Sequence, residues 1–195
     1  MNGFEQRALL KKQQVIDSTF KLLNTSKKEN NITINDIVKE SNVGKTTIFK
    51  YFNNKENLIK EVYFYFLDEI RYSAKSIIEE DLSFEDTIYA LSKNKLSFLQ
   101  NVTNEFYLDL MLYFTTNNND LLEAYTNESM QMMLDIFHKG RKEGKVDLKY
   151  SDQFLMLYFS AMIEGVSSPM IYENIVPYLS DWTEVLIKGL APNDK

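Results

Sequence analysis

The chain has 195 residues, 44% of them hydrophobic and 26% charged, with a formal net charge of −6 and no cysteine. Such proportions describe a globular chain with enough apolar material for a large core, held in one large domain or two small ones, and not a disordered one. The missing cysteines remove disulfides, thiolate nucleophiles and thiolate metal sites, and agree with a reducing cytoplasm.

The start, MNGFEQRALLKKQQ, has no apolar h-region and is not read as a secretory signal. Residues 7–26 then repeat Leu9, Val15, Ile16, Phe20 and Leu23 at helical spacing, which predicts a first helix. A polar break, KKENN, follows. Thr33 is placed to cap a second helix with Asp36 as a variant of the capping box, and Ile34, Ile37 and Val38 form its apolar edge. Ser41-Asn42-Val43-Gly44 makes the turn, where Asn42 or Gly44 can take positive φ. A third helix is predicted over 45–52.

At about 100° per residue, Ile48 and Phe52 of that third helix project to one side and Thr46 and Lys50 to the other. Burying the first pair leaves the second pair outward, beside Lys45, Thr47, Phe49 and Tyr51. Two short helices around a tight turn form a helix-turn-helix, whose second helix enters the major groove of DNA. Charge agrees with this placement. Residues 1–60 hold 11 Lys+Arg and 6 Asp+Glu, while residues 61–195 hold 11 and 22, so a basic head precedes an acidic body.

From Lys55 the pattern predicts one long helix to about 80, then helices at about 84–101, 104–117, 120–143, 151–170 and 177–190, with Pro177 in the first turn of the last. About nine helices in all, with no sustained strand alternation, give an all-α fold. The domains expected are a DNA-binding head over 1–54 and a ligand-binding and dimerisation body over 55–195. The longest nearly apolar run, 154–166, is too short to span a bilayer.

The segments VIDSTFKLL and TINDIVKESNVGKTTIFKYFNNKENLI resemble the amino-terminal signature of the TetR family of bacterial transcriptional regulators. The strong part of the likeness covers residues 15–60. It rests on the apolar first helix, a Thr opening the second, Val43 in the turn, and Ile48-Phe49-Lys50-Tyr51-Phe52 followed by Lys55-Glu56 and Leu58. The resemblance implies base-edge contacts near Thr46 and Phe49 and phosphate contacts from Thr33, Thr47, Lys50, Tyr51 and Lys55. Lys45 joins this DNA-facing set by position. Family members often carry Ser where this chain has Gly44, Gly where it has Thr46 and Tyr where it has Phe49, so the operator sequence is expected to differ. Lys11, Lys12, Lys27 and Lys28 are read mainly as solubilising charge.

The resemblance also implies an apolar ligand pocket and a homodimer. Candidate pocket residues are Phe66, Phe98, Tyr107, Met111, Phe114, Met133, Phe137, Tyr158 and Met162, each of which core packing also explains. Candidate dimer residues are Phe154, Leu155, Phe159, Trp182 and Leu186, on helices apolar enough to pair across a two-fold axis. His138 sits among Lys139, Arg141 and Lys142 and is read as part of a helix-terminal cationic cluster. GKTT at 44–47 lacks the upstream glycine of a phosphate loop. No enzyme, cofactor or metal is expected. The expected partners are double-stranded DNA, a second copy of the chain and a small, largely apolar effector, with no membrane and a cytoplasmic location. Two rivals remain: a DNA-binding dimer of the same fold that answers to no ligand, and a helical carrier or adaptor without DNA binding.

Overall fold

A computed structural model describes residues 3–25, 31–116 and 120–192. Within them the chain forms ten α-helices and a 3-10 turn, and no strand. None of these helices is long and apolar enough to cross a membrane. The residues fall into two compact units, Met1–Glu69 with Asn101–Leu112, and Ile70–Gln100 with Tyr113–Lys195.

The first unit holds α1 (Gly3–Leu23), α2 (Ile34–Ser41), α3 (Lys45–Phe52), the start of α4 (Lys55–Glu79) and the start of α6 (Asn104–Thr116). Val15, Ile37, Ile48, Leu58, Val62 and Tyr63 are fully buried there. The Phe106 ring lies 5.1 Å from Phe20, 5.7 Å from Tyr63 and 5.2 Å from Phe66, all edge-on, the orientation aromatic quadrupoles prefer. Gln14 of α1 donates its side-chain amide to the Ser41 carbonyl at 2.7 Å, so α1 satisfies a carbonyl that the end of α2 leaves open.

The second unit holds the rest of α4, α5 (Phe84–Gln100), the end of α6, α7 (Asp120–Lys142), α8 (Asp152–Ser167), α9 (Pro169–Ile175) and α10 (Leu179–Leu190). Phe84, Ile88, Phe137, Val146, Leu155 and Leu190 are among the side chains of its core. Two glycines shape the end of α7. A Cβ on Gly140 would come within 2.6 Å of Val146 and 2.7 Å of Phe84, and Gly144 takes φ +70, where the helix has stopped.

Sequence periodicity predicts a single helix over 151–170, whereas α8 ends at Ser167 and α9 restarts at Pro169. Pro169 has no N–H to donate, so a helix cannot run through it unbroken at no cost. Pro177 lies in the 3-10 turn Val176–Tyr178, one turn before α10 rather than within it.

Candidate functional site

Local chemistry sets the helix-turn-helix. Thr33 caps α2: its hydroxyl accepts from the Asp36 N–H at 3.2 Å, and the Asp36 carboxylate accepts from the Thr33 N–H at 2.9 Å and its hydroxyl at 2.7 Å. The expected capping box is therefore complete. Asn42 takes the left-handed conformation at the end of α2, with φ 52. Gly44 is instead extended at φ −62 and caps α3 through its backbone alone, with no side-chain bond.

Ile48 is 0% and Phe52 2% exposed, which locks α3 onto the head. Lys45, Thr46 and Lys50 face out, with Thr47, Phe49 and Tyr51 half-buried at the flanks. Thr46, Thr47 and Lys50 make no side-chain hydrogen bond or ion pair with any described residue. The Lys45 ammonium lies 5.7 Å from the centre of the Phe49 ring, one helical turn on. No acidic side chain occupies the first turn of α3, so nothing offsets the positive end of its dipole.

Other basic groups of the head are turned to internal work. Lys12 pairs with Glu61 at 2.7 Å and lies over the Phe52 ring, and Lys21 pairs with Glu40 at 2.6 Å. Lys55, placed among phosphate contacts by the resemblance, donates to the Ile32 carbonyl at 2.9 Å and so ties the start of α4 to the approach to α2. Thr33 is exposed, yet its hydroxyl is engaged by Asp36. Lys11 is exposed, and Lys27 and Lys28 lie outside the described residues.

The second unit holds a half-open cavity of about 270 Å³. Ile70 and Ala74 of α4, Ile88, Leu91, Ser92, Asn94 and Lys95 of α5, Met133 of α7, Phe159, Met162 and Ile163 of α8, and Trp182 and Thr183 of α10 line it. Of the pocket residues expected from sequence, Met133 and Met162 lie on this wall. Phe137 is fully buried in the unit's core beside it, and Tyr158 faces outward. Phe98 and Phe114 are half-buried and do not line it, while Phe66 and Tyr107 belong to the buried core of the first unit, which also holds the half-buried Met111.

The residues expected at a dimer surface separate as well. Leu155 packs into the monomer core, Leu186 belongs both to that core and to the cavity wall, and Phe159 lines the cavity. Phe154 is exposed, and Trp182 lines the cavity while staying 40% exposed. Among the described residues, Leu157 at 71% and Val185 at 68% are the most open large apolar side chains of α8 and α10; neither is among the dimer candidates named from sequence. With Phe154 and Tyr158, and with Tyr178 and Trp182, they form a stripe along each helix at i, i+3/i+4 spacing.

A short helix pair with a locked, basic second helix is the architecture of a helix-turn-helix regulator. The sequence model described as bacterial regulatory proteins, tetR family, matches residues 30–62. Over 57 residues the chain is 35% identical to an uncharacterized HTH-type transcriptional regulator, YhgD, of Bacillus subtilis (strain 168), a stretch of 29% of this chain and 30% of that relative. Solved structures extend the likeness along the chain. The FadR regulator of Bacillus subtilis in complex with stearoyl-CoA is 18% identical, with TM-score 0.65 over 91% of this chain and 98% of that one. A gamma-butyrolactone receptor (ArpA-like protein) is 15% identical, with TM-score 0.69 over 95% and 90%. At these identities the structures establish the fold, while the tetR-family model and the curated relative match the helix-turn-helix head.

Proposed function

We propose that the chain is a ligand-responsive transcriptional regulator, a repressor that binds a palindromic DNA operator as a homodimer and is released by a small, largely apolar effector. Residues 1–54 act as the DNA-binding head and 55–195 as the ligand-binding and dimerisation body. The observation that carries this reading is the division of α3, with Ile48 and Phe52 buried and Thr46 and Lys50 exposed without protein partners. Thr46 and Phe49 are assigned to base edges, where Phe49 suits a thymine methyl group. Lys45, Thr47, Lys50 and Tyr51 are assigned to phosphates. Thr33 and Lys55 contribute chiefly by setting the start of α2 and α4, and by the N–H groups at those helix starts.

Two heads related by a two-fold axis would meet successive major grooves about 34–36 Å apart on B-DNA. The apolar stripes of α8 and α10 supply a surface for that pairing. The cavity supplies a place for the effector, and the stearoyl-CoA held by FadR and the lactone receptor's name support an effector with an apolar portion in this fold. An effector that prefers a body arrangement with mis-spaced heads weakens DNA binding by the coupling free energy it carries. The test is a mobility-shift titration on the duplex upstream of the chain's own gene. Saturable retardation that is lost in the Thr46→Ala/Lys50→Ala double variant is the expected result; equal retardation of that double variant overturns the reading.

A further inference from the structure

The wall of the cavity carries one feature that apolar packing does not explain. Ile88, Leu91, Ser92 and Lys95 follow one another on a single stripe of α5, which brings a lysine onto the same face as core aliphatics. Lys95 makes no hydrogen bond or ion pair with any described residue. Its side chain keeps an open surface, yet the surrounding protein desolvates the ammonium and lowers its pKa. Both statements hold for a group whose free surface faces a cavity. Among the described residues no carboxylate lines the cavity from α4, α5, α7, α8 or α10.

Among the polar groups beside Lys95, Asn94 offers a free donor. The Asn94 carbonyl oxygen accepts from the Ser73 hydroxyl at 2.7 Å, leaving its NH₂ group uncommitted. The Thr183 hydroxyl donates to the Leu179 carbonyl at 2.8 Å, so Ser92, 2.6 Å away, gives its proton to Thr183. An ammonium and an amide NH₂ at one place in an apolar chamber require an acceptor-rich, negatively charged guest.

We propose that the cavity selects a carboxylic acid of modest size, held by its carboxylate on Lys95 and Asn94 with its aliphatic tail against Ile70, Met133, Phe159 and Met162. The assignment rests on the reading of this cavity as the effector site and adds the chemistry of the headgroup. A volume of about 270 Å³ lies just under the usual 300–1,000 Å³ of small-molecule pockets, which suits a single acyl chain and not an acyl nucleotide. With the guest bound, the Lys95 charge is paired on an otherwise apolar wall.

Decanoate, decanol and decylamine, titrated calorimetrically into the full chain, test the headgroup at constant tail. A charge-assisted hydrogen bond predicts decanoate about tenfold tighter than decanol in the wild type, with decylamine weakest. Lys95→Met should bring decanoate down to decanol and leave decanol unchanged, while Lys95→Arg retains the preference. Equal affinity for acid and alcohol, a preference that survives Lys95→Met, or no binding of any of the three overturns the proposal. A mobility-shift arm separates the two readings. Lys95-dependent acid binding that leaves DNA retardation unchanged sinks the effector role alone, whereas release by acid and alcohol alike sinks the headgroup assignment alone.

Discussion

At the scale of the residue, exposure and partnership sort the basic groups of the head. Lys50 projects from a helix fixed by Ile48 and Phe52 and is not spent on the protein. Lys50→Ala should weaken binding to every operator variant alike and flatten the dependence of log K on log salt by about one unit, the signature of one lost phosphate contact. Thr46→Ala should instead re-rank operator variants at little change in salt dependence, because base contacts specify while phosphate contacts position. A salt slope unmoved by Lys50→Ala would remove Lys50 from the interface. Lys95 presents a different case, an exposed cation on the wall of an apolar cavity. In the ligand-free protein burial lowers its pKa, so over the interval up to its ordinary value the unfolded chain binds the extra proton. Stability at this site therefore rises with pH across that interval, and below it the full cost of the charge is present. None of the other lining side chains ionises. Lys95→Met is expected to raise the Tm at neutral pH and to remove this alkaline gain, both readable by thermal melts in a pH series.

At the scale of the element, the helix-turn-helix was legible because its signals are short-range. Thr33 and Asp36 lie three residues apart, and the observed capping box needs nothing else. The partition of α3 follows from helical geometry alone. Only the turn had two candidates, and Asn42 takes the left-handed position while Gly44 does not. Open space surrounds the place of a Cβ on Gly44, and its φ suits any residue. Gly44→Ser should thus supply the missing side-chain cap and stabilise the protein by about 0.5–1 kcal/mol in urea denaturation, from capping and a less flexible unfolded chain. No change, or a loss, would mean that the serine does not reach the N–H groups of α3. Later elements were legible as helices but not as surfaces. Periodicity marks Phe66, Met133, Leu155 and Leu157 alike as apolar, yet one lies in the first unit's core, one on the cavity, one in the second core and one in solvent. Those fates depend on which helices meet, and no spacing records it. Lys95 was missed for the same reason, since a lone lysine on an amphipathic helix reads as solvated.

At the scale of the whole molecule, a chain of net charge −6 can still bind a polyanion because its first 60 residues are basic and the remainder acidic. Helix α4 contributes residues to both compact units along one unbroken element. The proposed dimer is testable apart from DNA. Leu157→Glu with Val185→Glu should turn a dimer into a monomer by light scattering while far-ultraviolet helicity persists, because burying two unpaired carboxylates at a two-fold surface is costly. Dimers that survive both changes would place the interface elsewhere. Operator affinity should fall with the dimer, since half-sites then bind without linkage.

Trp182 is the chain's single tryptophan, and it both lines the cavity and reaches the outer stripe of α10. Its fluorescence is therefore an unmixed optical signal with two distinguishable inputs. A guest would change the indole's surroundings in proportion to its own concentration, whereas pairing of subunits would change them in proportion to that of the protein. Titrating each separately resolves occupancy from assembly with no label attached.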